Sequence, residues 1–335
     1  MDLDLLDRNL KRMADAASAA WKKLRPHAKA HKCPEIAKRQ MALGACGICV
    51  ATVVEAELMA KAGIGEMLLT SPAADPFKVR RIVASGAMVA VDHVRQVELY
   101  AEAAREANSI VGIVIDLDVG DHRTGAASLK QALEIALAID RARHLKLRGV
   151  QAYSVAGAHA KDVNERRCIC SETFALAHEV RAEMTRRGLH TDITTGGSTG
   201  TWDVDLGLDE VTEIQAGSYA LMDIQYRRMG IDFDPAMTVL ATVISANHAD
   251  FVTVDAGFKA FSTDRAFGPE PVDLDAGYRW GGDEFGYLDT GKLKLGDKIE
   301  FAAPHCDPTV NLYDRIYVCQ GDDVVDLWPV KSLAL

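Results

Sequence analysis

Near the C-terminal end, His305, Cys306 and Asp307 stand in the string Pro304-His-Cys-Asp-Pro-Thr-Val-Asn311. Read as a strand, the string sends His305 and Asp307 to one face and Cys306 to the other. An imidazole and a carboxylate converging on one point suit Mn²⁺, Zn²⁺ or a similar divalent ion. The plainer reading is an Asp-Pro turn after a strand. Near the other end, Arg25-Pro-His-Ala-Lys29-Ala-His-Lys32 places five potentially charged side chains in eight positions. A lysine there can form a Schiff base with an aldehyde, provided that some of it is unprotonated. Positive charge from Arg25, His27, His31 or Lys32 would lower its pKa and help. A solvated surface position is the default for any lysine, so these neighbours carry the case for Lys29.

Three further clusters have chemistry in them. Thr194-Thr-Gly-Gly-Ser-Thr-Gly-Thr201 follows one apolar β-like run and Ala216-Gly-Ser-Tyr219 follows the next. Two Gly/Ser/Thr loops after consecutive late strands offer backbone N–H groups and hydroxyls to a phosphate. Val114-Ile-Asp-Leu-Asp-Val-Gly-Asp-His-Arg-Thr-Gly125 carries Arg123, which can meet a cofactor ring nitrogen or a substrate carboxylate, or pair with Asp116 or Asp118. Gln151-Ala-Tyr153 ends another strand, and His159 lies beyond it in a segment whose Gly157 suits a loop. His159 is a candidate general base, although a lone loop histidine is more often a surface residue. Cys46-Gly-Ile-Cys49 matches a redox pair by pattern but sits in an apolar segment, where buried packing is the better reading.

The elements that must position these residues fall into two regimes. From Asp2 to Tyr226, β-like runs alternate with helical ones: Gly47–Ala51, Glu66–Thr70, Met88–Asp92, Val111–Asp118, Gly149–Ser154, Thr191–Thr195 and Glu213–Ala216 are strand candidates. Between them Val54–Ala62, Lys130–Ala142 and Asn164–Arg187 read as helices, the first and last closed by Gly63 and Gly188. This spacing predicts an α/β fold, a (β/α)₈ TIM-type barrel over residues 1–230. Val239–Ala246, Phe251–Asp255, Lys298–Ala302, Arg315–Cys319 and Asp323–Leu327 follow as strands without long helices. They predict a smaller C-terminal β domain over 231–335, with Asp273–Gly291 as linking chain. The β/α region begins almost at residue 1, which suggests that a longer version carries one more N-terminal strand.

Composition narrows the field of functions. The chain has 335 residues, 48% of them hydrophobic and 26% charged, and a net charge of −10, which gives no electrostatic case for nucleic acid. No apolar run approaches the roughly 18 residues of a membrane span. The acidic start Met1-Asp-Leu-Asp-Leu-Leu-Asp does not resemble a secretory signal. Seven cysteines at irregular spacing read as free thiols in a reducing compartment, so a cytoplasmic protein is expected. A lysine anchor for an aldehyde, a phosphate cup and an arginine on one barrel together describe pyridoxal 5′-phosphate (PLP).

Taken as a set and in order, Arg25–Lys32, Asp118-Val-Gly-Asp-His-Arg-Thr-Gly125, Gly196-Gly-Ser-Thr-Gly200, Gln215-Ala-Gly-Ser-Tyr219 and Pro304-His-Cys-Asp-Pro-Thr309 resemble the D-threonine aldolase and D-serine dehydratase-like family. The resemblance covers essentially the whole chain. It implies a fold-type III PLP enzyme with an alanine-racemase-like barrel and a C-terminal β domain, and a homodimer. It implies that Lys29 carries PLP, that Arg123 and Tyr153 line the cofactor, and that Ser198, Thr199, Gly200, Gly217 and Ser218 hold its phosphate. Tyr219 would flank the ring, His159 would be an active-site histidine, and His305 and Asp307 would bind the metal. Where the eukaryotic D-serine dehydratases have His-x-Cys, this chain has His-x-Asp, a harder pair better matched to Mn²⁺, Mg²⁺ or Co²⁺ than to Zn²⁺. Two stretches depart from the common pattern: Ile48-Cys-Val-Ala-Thr52 replaces Val-Cys-Cys-Gln-Lys, and Asp283-Glu-Phe-Gly286 replaces Asp-Glu-His-Gly.

The resemblance implies metal-assisted retro-aldol cleavage of a small D-β-hydroxy amino acid such as D-threonine, to glycine and an aldehyde. A D-serine or 3-hydroxyaspartate dehydratase is the nearest alternative. A non-catalytic PLP-binding protein is opposed by the metal-like pair, and an amino-acid racemase has no need of a metal.

Overall fold

The computed structural model describes residues 1–189 and 191–330 and divides the chain into two compact units. Of the described residues, one gathers Lys11–Lys29 and Pro34–Gly217; the other gathers Met1–Leu10, Ala30–Cys33 and Ser218–Val330.

The first unit is a barrel of eight parallel strands: β1 (Lys23–Leu24), β2 (Ile48–Val50), β3 (Met67–Leu69), β4 (Met88–Val91), β5 (Val111–Leu117), β6 (Leu145–Ala152), β7 (Ile193–Gly196) and β8 (Glu213–Ile214). They pair in the order β1-β8-β7-β6-β5-β4-β3-β2. The seam between β1 and β2 is closed by Cys46 N–H to Leu24 O and Cys49 N–H to Pro26 O, both 2.8 Å. The expected TIM-type barrel is therefore present. Ile48–Val50, Met67–Leu69 and Met88–Val91 are buried at every residue. This is why they read as continuous apolar runs rather than alternating ones: a barrel strand has core on one side and helices on the other.

The helices begin and end where the chain supplies caps. Thr52 accepts from Glu55 N–H ahead of helix Val53–Lys61, and Asp75 from Lys78 N–H ahead of Pro76–Ser85. His93 and Gln96 cap each other's backbone at the start of Val94–Glu106. The long helix Val163–Arg186 starts on Asp162 and stops before Gly188, whose φ of +76° suits glycine best. The N-terminal helix Leu3–Ala19 buries Leu6, Leu10, Met13 and Ala17, a single stripe at helical spacing.

The second unit carries a six-stranded antiparallel sheet ordered β11-β14-β9-β10-β13-β12. Its strands are β9 (Thr238–Ser245), β10 (Val252–Val254), β11 (Glu270–Pro271), β12 (Tyr278–Trp280), β13 (Gly286–Leu288) and β14 (Lys298–Ala302). A separate hairpin follows, β15 (Arg315–Gln320) with β16 (Asp323–Pro329). Val243, Val252, Val254, Phe261, Leu288 and Phe301 form the sheet's core. Asp273–Gly291, expected to be linking chain, contains β12 and β13. Tyr278 explains this: its ring packs edge-on against Phe301 at 5.7 Å and Phe261 at 6.2 Å, which outweighs the Gly and Asp around it.

The strand expected through His305–Asp307 is also overturned. Cys306–Val310 is a short helix, with His305 extended at its N-cap position (φ −147°, ψ 124°). Pro308 falls within the first turn, where its missing N–H leaves no helix bond unmade. Among the described residues no helix is long and apolar enough to cross a membrane.

Candidate active site

In the barrel unit, three of the expected residues meet. Lys29 lies in the short 3₁₀ turn Ala28–Ala30 after β1, with its Nζ 5.8 Å from the centroid of the Tyr153 ring. The Arg123 guanidinium carbon is 5.0 Å from the same centroid. Tyr153 follows β6 and Arg123 belongs to the loop after β5, so all three stand at C-terminal strand ends, where barrel enzymes keep their chemistry. The Arg123 charge also bears on Asp116, opposing the rise that burial gives its pKa, while the hydrogen bonds of the two carboxylates go to other groups. Asp118 accepts from His122 Nδ1 at 2.8 Å, and Asp116 from Thr124 Oγ1 at 2.7 Å and Gln151 Nε2 at 2.8 Å.

Side chains of the basic string take separate hydrogen-bond partners. Arg25 turns into the barrel and pairs with Glu213 through two bonds of 2.9 and 3.0 Å, both side chains 3% exposed. His27 accepts from Lys29 N–H at Nδ1 (3.4 Å) and meets Thr70 Oγ1 at Nε2 (3.1 Å). His31 Nδ1 accepts from Cys33 N–H, and Lys32 Nζ donates to Asp307 O at 3.1 Å.

Side chains from four strand ends and the Thr70 carbonyl from a fifth form a polar layer that sequence reading missed. Gln151 donates to Thr70 O (2.9 Å) as well as Asp116, and Gln215 donates to Gln151 Oε1 (3.2 Å) and Thr195 Oγ1 (3.0 Å). Burial is the largest influence on the Asp116 carboxyl and holds its pKa above the usual carboxylate range. Nothing in sequence marks this layer, because its members lie 20 to 81 residues apart.

The Gly196–Thr201 loop follows β7, as expected. A Cβ on Gly197 would lie 2.3 Å from Asp205 Oδ2, and its φ is +76°, so glycine is required twice over. Ser198 and Thr199 are buried, and Ser198 Oγ accepts from Gly200 N–H at 3.0 Å. Gly217 and Ser218 follow β8, the neighbouring strand. His159 ends a five-residue helix, Val155–His159, rather than lying in a loop. That helix is tied down at both ends. Asp121 accepts from Val155 and Ala156 N–H, while buried Arg166 donates to Ala160 O (3.2 Å) and to Gly200 O (3.0 Å).

Behind the Gly-rich loop, fully buried Asp205 accepts the Thr201 hydroxyl, and burial pushes its pKa up to about 7. The folded state therefore holds a proton on Asp205 between pH 4 and 7 that the unfolded chain releases, so this contribution to stability is lost as pH rises through that window. Asp205→Asn, which imitates the protonated acid, is expected to gain about 2 kcal/mol relative to the parent between pH 5 and pH 8. Urea midpoints at the two pH values measure this, and an unchanged difference would show that Asp205 does not titrate near pH 7 in the folded protein.

In the second unit, His305 Nδ1 lies 2.8 Å from Asp264 Oδ2, and Asp307 Oδ1 accepts from Ser218 Oγ at 3.3 Å. Cys306 is fully buried, and burial raises its thiol well above the ordinary value. Asp223, also fully buried, accepts from Cys306 N–H (3.0 Å) and Tyr226 N–H (3.1 Å). Burial raises its pKa, the charge of His305 opposes that rise and the charge of Asp307 adds to it, so both groups bear on one point. Tyr219 is buried and packs against Phe233 at 5.6 Å. All seven cysteines are free; Cys46 donates to Glu213 and burial pushes its pKa up to about 11, as packing rather than redox chemistry requires.

These residues fit PLP in kind: a primary amine, an arginine and a tyrosine at the barrel mouth, and a glycine-built loop after β7. The donor set of His305 and Asp307, one imidazole and one carboxylate, suits a hard divalent ion that keeps several waters. Among the described residues no group of three or more His, Cys, Asp or Glu gathers around it.

Barrel, lysine turn, glycine loop and appended antiparallel unit define an alanine-racemase-like, fold-type III PLP enzyme. The chain belongs to the D-threonine aldolase and D-serine dehydratase-like family within that class. The family model for the alanine racemase N-terminal domain matches residues 1–252, and that for a putative serine dehydratase domain matches 236–319. A D-threonine aldolase from Arthrobacter sp. is 34% identical, covering 99% of this chain and 91% of its own. A 3-hydroxy-D-aspartate aldolase from Paracoccus denitrificans is 32% identical, covering 99% and 90%. The crystal structure of D-threonine aldolase from Filomicrobium marinum superimposes with a TM-score of 0.94 at 34% identity, over 98% of this chain and 93% of that one. Relatives with these names are carbon–carbon lyases, and this chain is an enzyme of their family.

Proposed function

We propose that the protein cleaves D-β-hydroxy amino acids of the D-threonine type to glycine and an aldehyde, using PLP and a divalent ion. The observation that carries this reading is the meeting of Lys29 and Arg123 over the Tyr153 ring at the C-terminal strand ends. The aldolase names of the relatives support the choice of reaction and of the D-configuration. When bound, PLP supplies an electron sink for the breaking Cα–Cβ bond and the metal a Lewis acid for the β-hydroxyl.

The chain's own residues do the rest. Lys29 anchors the cofactor aldehyde, and Ser198, Thr199, Gly200, Gly217 and Ser218 bind the phosphate. Arg123 and Tyr153 orient the ring, which Tyr219 flanks. His159 accepts the hydroxyl proton, from a helix held at one end by Asp121 and at the other by Arg166. His305 and Asp307 hold the ion, with Mn²⁺ preferred and Mg²⁺, Co²⁺ or Zn²⁺ as alternatives. A homodimer in the reducing cytoplasm accords with the resemblance and the free thiols.

The match of residues 236–319 to a putative serine dehydratase domain favours a second reading, elimination to a 2-oxo acid and ammonia. Product analysis separates the two. D-Threonine is expected to yield glycine and acetaldehyde; 2-oxobutanoate and ammonia would establish the dehydratase, and no turnover of D-threonine or 3-hydroxyaspartate would remove both. EDTA is expected to abolish activity while leaving the cofactor absorbance, with recovery on adding Mn²⁺. Full activity in chelator would end the role given to the metal.

A further inference from the structure

Asp264 and Arg265 take no part in the reaction as described, yet both reach the back of His305. Asp264 Oδ2 lies 2.8 Å from His305 Nδ1, Arg265 Nη2 lies 3.3 Å from that same nitrogen, and Arg265 Nε is 3.6 Å from Asp264 Oδ2. A ring nitrogen either donates or accepts, so only one of these contacts is a hydrogen bond at a time. A carboxylate only accepts and a guanidinium only donates. The two neighbours therefore call for opposite tautomers. Donation from Nδ1–H to Asp264 leaves the Nε2 lone pair open, whereas acceptance from Arg265 puts the proton on Nε2 and closes it.

We propose that Asp264 fixes His305 as the Nδ1–H tautomer and so presents Nε2 as the metal-binding atom. The contact geometry points to Asp264 rather than Arg265. Its contact is shorter by half an ångström, and the bond is assisted by the carboxylate charge. The segment that carries Asp264 is also stitched to the turn that carries His305. Ser262 N–H donates to Thr309 Oγ1 (3.1 Å), Ser262 Oγ to His305 O (3.2 Å), and Thr309 Oγ1 to His305 O (2.7 Å). Residues 262–265 are thereby held in register with the turn that carries His305 and Asp307, so Asp264 meets the imidazole from a fixed backbone. Carboxylate–histidine–metal arrangements orient the ring and raise its basicity in this way. Asp264 is thus a positioning residue; the metal part of its role rests on the reading of His305 and Asp307 given above.

The test reads the tautomer before any metal is present. Full-length protein labelled with ¹⁵N-histidine and stripped of divalent ions is studied at about pH 8, where an ordinary imidazole is neutral. The His305 signals are assigned by their absence in His305→Gln. The expected pattern is protonated Nδ1 and bare Nε2; protonated Nε2 in the unsubstituted protein would overturn the proposal. Asp264→Ala leaves Arg265 as the nearer partner and is expected to move the proton to Nε2 and weaken Mn²⁺ binding roughly 10- to 100-fold in an EPR titration. An unchanged tautomer and affinity in Asp264→Ala would likewise overturn it. Arg265→Met removes only the competing donor and should keep Nδ1–H; loss of that signature would assign the control to Arg265 instead. If the unsubstituted protein shows Nδ1–H but binds no Mn²⁺, the metal reading of His305 falls while the hold of Asp264 on the tautomer stands.

Discussion

Lys29→Ala is expected to lower turnover by at least roughly 10³-fold and to abolish cofactor labelling by borohydride. In the unsubstituted protein, reduction should fix a pyridoxyl label on Lys29, recovered in the peptide that contains it. The reason is positional. Lys29 alone of the lysines in the basic string has its amine against the Tyr153 ring, while Lys32 spends its amine on Asp307 O. Arg123 stacks on that ring as well, so the three side chains define one place rather than three separate surface positions. The loss should not come from unfolding, because Lys29 is only partly buried. A melting temperature near that of the parent is the control. Label recovered on Lys32, or Lys29→Ala with ordinary turnover, would require the barrel mouth to be read again.

The largest loss of stability is expected from Glu213→Ala. Arg25 and Glu213 are each 3% exposed and joined by two hydrogen bonds, across the β1–β8 pairing that helps to close the barrel. Arg25 also donates to Glu66 O, and Gly47 packs so closely on its Nη1 that a Cβ there would collide with it. Removing the carboxylate strands a buried cation, which costs about 3–5 kcal/mol. Urea denaturation should show this as a large fall in midpoint, with Glu213→Gln milder. Replacing both partners together by Arg25→Met and Glu213→Leu should recover most of the loss, because desolvating the pair offsets much of its attraction. Equal stability of Glu213→Ala and the parent would mean that water or another acceptor reaches Arg25.

Arg25 also shows where reading a sequence stops. In the string it looks like one more charge beside Lys29, yet its partner is 188 residues away and on the next strand. The barrel itself was legible because its causes are local. Continuous apolar runs such as Met88–Val91, caps such as Asp162, and stops such as Gly188 act over a few residues, and the strand and helix periods report them directly. The place of the glycine loop after a strand was legible for the same reason, since Gly, Ser and Thr suit a tight turn. The C-terminal region was less so. Tyr278–Trp280 hides among Gly and Asp because its aromatic partners come from other strands, and the Asp-Pro after His305 signalled a turn without saying that a helix begins there.

Residue types alone determined what this protein has to work with: a lysine near one end, an arginine and a tyrosine after middle strands, an imidazole and a carboxylate near the other end. Only the tertiary structure decided which of them meet and in what state. It set Lys29 and Arg123 on one ring, buried Cys306, held Asp205 at a pKa near neutrality, and put Asp264 against a histidine 41 residues away. Local sequence controls backbone torsions and caps within a turn or two. Desolvation and hydrogen-bond partners are set by whichever distant segments fold into contact, and those set the charge and tautomer of each group.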